Sequence, residues 1–441
     1  MEEKLKKSGS IPKTYLELAM PVVFGMMISI IYNIADTYFV AKTGDTSIVA
    51  AVSLCGPLFV ILMAFGNIFG QGGSSLISRL LGEKAQEKVK HVSAFCFYGA
   101  LGVGAVIGLL LVVFNGPVLK VLGANEETLY SAFRYYMVMA VGAPAVVASF
   151  VHNNLLRCEG KAFESMIGHI GGLLVNIILD PVFILGLNMG AFGAALASVI
   201  GYAATTLYLL FVVIKKSKVL SINIKNVTCE GDHIFQIATV GFSAALANWM
   251  SSIALIITNR FLLKFGTNNE VAAMGVAGKV SMIVMLIITG LSFGGAPLIG
   301  YFCGSHDKDS LKKLFKFMFT FICCLAAGLS LILIVLAPVL IRFFMKDETI
   351  VRLGTQMLRF NVSSMAFMAV VLIVTISHQS FGKPLGSTVL SICRQGIIFL
   401  VVIALLTTFF GYTGILLAQP VSDVLTCGLA LLLFKKNILD A

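Results

Sequence analysis

The chain is dominated by a succession of apolar runs, each about 20 residues or longer, separated by short polar turns. About 20 helical residues cross the hydrocarbon core of a bilayer, and only helices or closed barrels satisfy their backbone polar groups there. The sequence therefore predicts an all-α integral membrane protein with twelve transmembrane helices. The predicted helices lie near residues 15–41, 49–78, 92–114, 130–156, 163–187, 191–214, 234–263, 271–302, 315–341, 355–378, 385–410 and 412–434.

The composition supports a membrane environment. Hydrophobic residues make up 58% of the chain and charged residues 12%, against about 25% charged residues in soluble domains. The net charge of +11 does not indicate a nucleic-acid partner, because the basic residues lie in short loops and form no stripe or arm. The nine cysteines show no CxxC pair, so they are interpreted as packing residues. Membrane lipid is the expected surrounding.

The basic residues also predict an orientation. With the N-terminus inside, alternate connections carry 21 Lys and Arg on the inner side and 7 on the outer side. This bias follows the positive-inside rule. Both termini are therefore predicted to be cytoplasmic, which requires an even number of spans.

The two halves of the chain repeat each other. Because each half holds an even number of spans, both enter from the same side, as in same-orientation repeats with a cleft between them. This predicts two pseudo-symmetric six-helix bundles around a central cleft: an N-lobe over 1–214, a cytoplasmic linker over 215–233 and a C-lobe over 234–441. The pairs at an offset of 221 or 222 residues include Gly82 with Gly304, Gly160 with Gly382, Pro117 with Pro338 and Gly190 with Gly411.

Two acids interrupt the apolar runs of the first half. Asp36 follows SIIYNIA and Asp180 follows LLVNIIL, although an Asp at mid-bilayer costs about 2.5–3.5 kcal/mol on insertion scales. Helix rise places Asp36 roughly 8 Å and Asp180 roughly 10 Å below the outer surface. Buried acids of this kind usually bind an ion or a cation, which favours a transport function.

Two neutral polar residues accompany the acids. Asn176 lies four residues before Asp180, on the same helical face, and Ser198 lies at a similar depth in the next span. Such oxygen ligands suit a small hard cation such as Na⁺, with Asp36 and Asp180 as its metal ligands. They suit a proton equally well. The alternative is that these residues only form hydrogen bonds between packed helices.

A third buried acid, Asp423, lies in the last span. It could line the cavity, pair with Lys279 or Arg394, or stabilise the second half. His169 is a candidate for a proton relay or a packed polar residue. No enzyme constellation is present, and GQGGSS at 70–75 lacks the Lys of a phosphate-binding loop. Neither a cofactor nor ATP hydrolysis is expected, so a transporter would use an ion gradient.

Several segments resemble the multidrug and toxic compound extrusion (MATE) family. They are NIADTYFVA in the first span, LRCEGKA after the fourth, NIILDPVFI in the fifth, GAFGAALAS in the sixth, and SFGKP with RQG around the tenth and eleventh. The resemblance covers nearly the whole chain. It implies an antiporter that expels small amphipathic organic cations in exchange for Na⁺ or H⁺ in a bacterial-type plasma membrane.

The resemblance also implies roles for particular residues. Asp36, Asp180, Asn176 and Ser198 would bind the coupling ion, with Ser198 in place of a family Thr. The substrate cavity is predicted to include Tyr32, Asn33, Asn153 and Asp423. One branch of the family carries further acids in spans seven and ten, which this chain lacks. Coupling through the first lobe, by a monomer, is therefore expected.

Two other functions remain open from the sequence. A relative in the same superfamily that flips lipid-linked saccharides would need several buried Arg or Lys to meet the diphosphate; the candidates are Arg134, Lys279, Arg359 and Arg394. A non-transporting membrane sensor or scaffold would show no gradient-driven flux. The sequence does not choose between Na⁺ and H⁺, nor does it name the transported compounds or the stoichiometry.

Overall fold

The computed structural model describes residues 4–6, 9–228, 230–265, 268–345 and 347–439. Within these ranges eleven helices are long and apolar enough to cross a membrane, and one bent pair brings the number to as many as twelve. The same ranges contain helices and turns but no strand. The prediction of an all-α membrane protein with twelve spans is confirmed.

The first six spans match the predicted runs closely, and two of them are irregular. The second is interrupted at Cys55, directly before Gly56 and Pro57, and the fifth ends in a π-helical turn over Pro181–Gly186. A short helix, Asn115–Leu122, precedes the fourth span. The spans are α1 (Ile11–Ala41), α2 (Thr46–Gly82), α3 (Gln86–Val113), α4 (Leu129–Cys158), α5 (Ala162–Gly186) and α6 (Gly190–Lys216).

The last six spans include two further irregularities. The tenth bends by 43° at Ser364, and the eleventh contains a π-helical turn over Cys393–Ile397. The spans are α7 (Gly231–Phe265), α8 (Asn269–Gly304), α9 (Lys308–Phe344), α10 (Glu348–Ser363 and Met365–Ser380), α11 (Pro384–Phe410) and α12 (Tyr412–Phe434).

The internal repeat extends to the conformation of the turns. Lys84 has φ 60° and His306, 222 residues later, has φ 55°. At both turns an amide donates back to the carbonyl five residues earlier, from Ala85 to Leu80 and from Asp307 to Phe302. This is the bond of a Schellman helix end. The two halves therefore share local geometry as well as sequence.

The chain forms two compact units whose limits fall inside helices. Residues 24–242 form the first unit together with residues 4–6, whereas 9–23 and 243–439 form the second. The first part of α1 thus packs within the second unit, where Tyr15 Oη donates to Leu291 O at 2.9 Å. The first part of α7 packs within the first unit, where Arg79 donates to Gln236 at 3.0 Å. The predicted lobes divide the chain at loops instead.

The connection between α6 and α7 is ordered over the residues described. Tyr98 Oη and Ser93 Oγ of α3 donate to the carbonyls of Ile222 and Ser221, at 2.9 and 3.1 Å. Leu220 is buried in the core of the first unit. The linker is therefore fixed to α3 at these points.

Candidate functional site

The carboxyl groups of Asp36 on α1 and Asp180 on α5 lie within hydrogen-bonding reach of each other. Asp180 is fully buried, and neither of its oxygens has a donor among the described residues. Ionised carboxylates are acceptors only, and an unpaired buried charge is costly. The pair is therefore suited to hold a proton or a cation between its oxygens.

Asn176, four residues before Asp180 on α5, forms a hydrogen bond with Ser198 on α6. Asn176 Nδ2 donates to Ser198 Oγ at 3.1 Å, and both residues are buried. The amide oxygen of Asn176 has no donor within the described residues. Asn176 and Asp180 share one face of α5, one helical turn apart. The site thus contains a third buried oxygen atom that could bind a cation.

Close packing of α5 against α6 brings Asn176 and Ser198 together. A Cβ atom at Gly201 would lie 2.7 Å from the carbonyl oxygen of Gly172, and a Cβ at Gly172 would overlap the Thr205 hydroxyl. Only glycine leaves room for such an approach between helices. The spacing of these glycines therefore positions the polar residues one turn away.

The helix containing Asp180 changes its winding directly after that residue. Regular α-helix ends at Asp180, and the π-helical turn Pro181–Gly186 follows. Pro181 has no N–H to donate to the preceding turn. Single π-helical turns occur frequently at functional sites. Asp180 therefore lies at a point where backbone geometry can change.

Three tyrosines complete the surroundings of the acids. The Tyr32 hydroxyl is within hydrogen-bonding reach of Ser198, as the position of Tyr32 one turn before Asp36 allows. Tyr135 on α4 and Tyr202 on α6 lie close enough to Asp36 for electrostatic interaction. Neither Tyr135 nor Tyr202 was predicted from the sequence, although Tyr202 follows Ser198 by one helical turn. That spacing was the available signal.

Asn33 and Asn153, which the sequence predicts for the substrate cavity, form hydrogen bonds to other partners. Asn33 is exposed and its amide donates to Ser29 O at 2.7 Å. Ser29 Oγ in turn lies 3.0 Å from His169 Nε2. Asn153 is near the other end of α4, where its amide oxygen accepts from Arg157 at 3.3 Å. The place of Asn33 and Asn153 in a substrate cavity stays a prediction.

Both carboxylate oxygens of Asp423 accept hydrogen bonds within the second unit. Its carboxylate accepts from Arg394 Nε at 2.9 Å, from Gln419 Nε2 at 2.9 Å and from Ser364 Oγ at 2.7 Å. It is 2% exposed. Of the partners considered from sequence, Arg394 is the one it contacts, whereas Lys279 is exposed. The predicted role of Asp423 in a substrate cavity stays a prediction.

The donor set around Asp36 and Asp180 is composed of oxygen atoms. No group of three or more His, Cys, Asp or Glu that could hold a metal occurs within the part of the chain described. Two carboxylates, an amide oxygen and hydroxyl groups are hard ligands, which fit Na⁺ better than a transition metal. A proton fits the same pair. The chemistry of the site is therefore compatible with both Na⁺ and a proton as the coupling ion.

Sequence comparison assigns the family. The family model described as MatE matches residues 21–182 and 243–422, which includes Asp36, Asp180 and most of both halves. This chain belongs to the MatE family. The two matched segments correspond to the two halves of the internal repeat.

Named relatives and a solved structure agree with this family assignment. The chain is 32% identical to the multidrug export protein MepA of Staphylococcus saprophyticus over 98% of this chain and 95% of that protein. It is also 32% identical to MepA of Staphylococcus aureus, over 97% and 94%. A crystal structure of MATE in complex with MaL6 superposes with a TM-score of 0.94 at 22% identity, covering 100% and 99%. The relatives are named as export proteins, in agreement with the expectation that this MatE protein is not an enzyme.

Proposed function

We propose that this MatE protein is a secondary active exporter of amphipathic organic cations, driven by Na⁺ or H⁺ binding at Asp36 and Asp180. The full-length similarity to multidrug export proteins supports the export function. The buried Asp180 carboxylate, which lies within hydrogen-bonding reach of Asp36, supports ion coupling. This acid pair is the observation that carries the proposal.

The coupling mechanism follows from the charge of the pair. Without a bound ion, Asp36 and Asp180 attract an organic cation toward the first unit. Binding of Na⁺ or H⁺ neutralises the pair and lowers the affinity for that cation. An ion can shift a conformational equilibrium only by its differential affinity for the two states. The π-helical turn after Asp180 provides a backbone segment whose winding can differ between them.

Substitution of the acids tests this mechanism. Asp36→Asn and Asp180→Asn remove one charge each at nearly constant volume, and each is expected to abolish gradient-driven dye efflux. Asp45→Asn is the matched control, because Asp45 is exposed and its carboxylate caps the next helix from Ser47 N at 2.8 Å. An Asn keeps that cap. Normal efflux by both folded acid variants would contradict the proposal.

Imposed gradients identify the ion. Reconstituted vesicles are given a Na⁺ gradient at constant pH or a pH gradient without Na⁺, and dye efflux is followed in each. The proposal requires efflux under at least one gradient and its loss in Asp36→Asn. Dye movement that is independent of both gradients would favour a non-transporting membrane protein.

The same proposal includes the protein's setting. It places a monomer in the plasma membrane with both termini cytoplasmic, supported by the ratio of 21 to 7 basic residues across the connections. A tag at either terminus should then be inaccessible to reagents added outside intact cells. Labelling of either terminus from outside would contradict this orientation.

The structure offers less support for the lipid flippase. Arg394 is bonded to Asp423. Arg134 stacks over the rings of Tyr130 and Phe192, at 5.7 and 5.2 Å. These two cations already have partners other than a diphosphate. Export of organic cations is therefore preferred.

A further inference from the structure

Asp423 connects two irregular points of the second unit. Ser364, whose hydroxyl donates to Asp423 Oδ2, is the residue at which α10 bends by 43°. Arg394, which donates to Oδ1, lies in the π-helical turn of α11. The Arg394 carbonyl also accepts from Ser422 Oγ at 2.7 Å. One buried carboxylate on α12 thus holds the break in α10 and the turn in α11 together.

The repeat relates this carboxylate to the acid site of the first unit. At the offset of 221 residues that joins Gly190 to Gly411, Asp423 corresponds to Tyr202. Tyr202 lies close enough to Asp36 for electrostatic interaction. The second unit therefore carries a buried acid at the position equivalent to a tyrosine near the acids of the first unit.

The two acid sites differ in how their charge is compensated. Asp180 has no donor within the described residues, whereas Asp423 forms a salt bridge with Arg394 of the same chain, with Arg394 Nε 2.9 Å from Asp423 Oδ1. The side chain of Asp423 is 3% exposed and that of Arg394 is 14% exposed. Arginine stays charged under all ordinary conditions. The charge of Asp423 is therefore neutralised without any exchangeable ion.

From this contrast we propose that Arg394 is a tethered counter-ion that occupies a latent cation site formed by Asp423, Gln419 and Ser364. These side chains supply the same three group types as the first unit, a carboxylate, an amide and a hydroxyl, and here the Gln419 amide nitrogen and the Ser364 hydroxyl donate to the Asp423 carboxylate. Arg394 excludes a free cation from them, so ions are taken up in the first unit alone. This inference rests on the proposed ion coupling for its role in transport, but the latent site can be tested separately.

The test uses the full-length Asp36→Asn/Asp180→Asn protein, in which the first site is removed. Unfolding temperature in detergent is measured against Na⁺ concentration at constant ionic strength, and against pH. Adding Arg394→Met is expected to create a stabilisation that grows with Na⁺ or with proton concentration, because a bound ion stabilises the folded state. The titratable groups concerned are Asp423, Arg394 and Cys427, which lies one turn along α12 and close to Asp423.

Two controls isolate the tethered charge. Arg394→Lys in the same background keeps the cation and should show no ion dependence. Arg394→Met with Asp423→Asn removes the acid and should lose the dependence again. Ion-independent unfolding of a folded Arg394→Met protein, or dependence that persists without Asp423, would overturn the inference. Arg394→Gln replaces Arg394→Met if the latter does not fold.

A second measurement needs no Arg394 variant. Saturable Na⁺ or proton binding to the otherwise unmodified protein should be lost in Asp36→Asn/Asp180→Asn and unchanged in Asp423→Asn. Loss of ion binding in a folded Asp423→Asn protein would contradict the proposal that Arg394 is a tethered counter-ion. If the unmodified protein binds neither ion, the proposed function fails, while the Arg394→Met comparison still tests the latent site.

Discussion

The side-chain amide of Asn176 donates to Ser198 Oγ at 3.1 Å, which leaves the amide oxygen of Asn176 buried without a donor in the described structure. The hydrogen bond holds the amide against Ser198, and in this orientation the amide oxygen is the group left without a donor. The oxygen is thereby held in the same polar layer as Asp180. Ser198 thus orients a ligand in addition to contributing its own hydroxyl.

Replacement of Ser198 tests this orientation. Ser198→Ala removes the acceptor of the Asn176 amide, and a hydrogen bond contributes about 1 kcal/mol. The ion concentration for half-maximal efflux should therefore rise roughly fivefold. Ser198→Thr keeps the hydroxyl and should remain close to the unmodified protein. Equal ion dependence of the Ala and Thr variants would contradict the prediction.

Tyr32 should act together with Ser198. The Tyr32 hydroxyl is within hydrogen-bonding reach of Ser198, so Tyr32→Phe and Ser198→Ala should affect efflux less than additively when combined. Tyr38→Phe is the control on the same helix, because Tyr38 is 58% exposed. Additive effects in the double variant would show that the two hydroxyls act independently.

The approach of α5 to α6 predicts opposite effects at adjacent glycines. Gly172→Ala introduces a Cβ that overlaps the Thr205 hydroxyl, and overpacking typically costs about 1–3 kcal/mol. The unfolding temperature and efflux should both fall. Gly171→Ala meets no atom within 4 Å and should stabilise the helix by up to roughly 1 kcal/mol. Equal stability of the two variants would contradict the packing argument.

The helix after the equivalent turn has a side-chain cap in the second half but not in the first. The capping residue can be introduced into the first half by substitution. Asp307 caps α9 by accepting from Ser310 N at 3.0 Å, whereas Ala85 at the equivalent position of α3 provides no side-chain cap. Ala85→Asp should stabilise the protein by about 1 kcal/mol and Asp307→Ala should destabilise it by a similar amount. Thermal unfolding measures both. A destabilising Ala85→Asp would mean that the turns differ more than their backbones indicate.

The same cap has a defined pH dependence. Hydrogen bonds from the Ser310 side chain and backbone lower the pKa of Asp307 below its ordinary value. Its stabilising contribution is therefore present above the unfolded pKa and disappears as the pH falls through the lowered folded value. The difference in unfolding temperature between the unmodified protein and Asp307→Ala should shrink on acidification. A difference independent of pH would exclude the carboxylate as its source.

The sequence alone determined the helices, the family resemblance and the residue types of the candidate site. Apolar runs of spanning length are visible without tertiary contacts, because the bilayer imposes helix on each run separately. The offset of the repeat likewise needs only the order of residues. For these reasons the twelve spans could be predicted, and motifs spread over nearly the whole chain together indicated the family.

Tertiary structure decided the pairings and the irregularities. Sequence left Asp423 with Lys279 or Arg394 as partners, and only packing in the second unit selects Arg394. The bend at Ser364 and the division of α1 and α7 between two units depend on contacts between residues far apart in the chain. Hydropathy indicates whether a residue prefers lipid, but it does not indicate which other side chain that residue will contact in the folded protein.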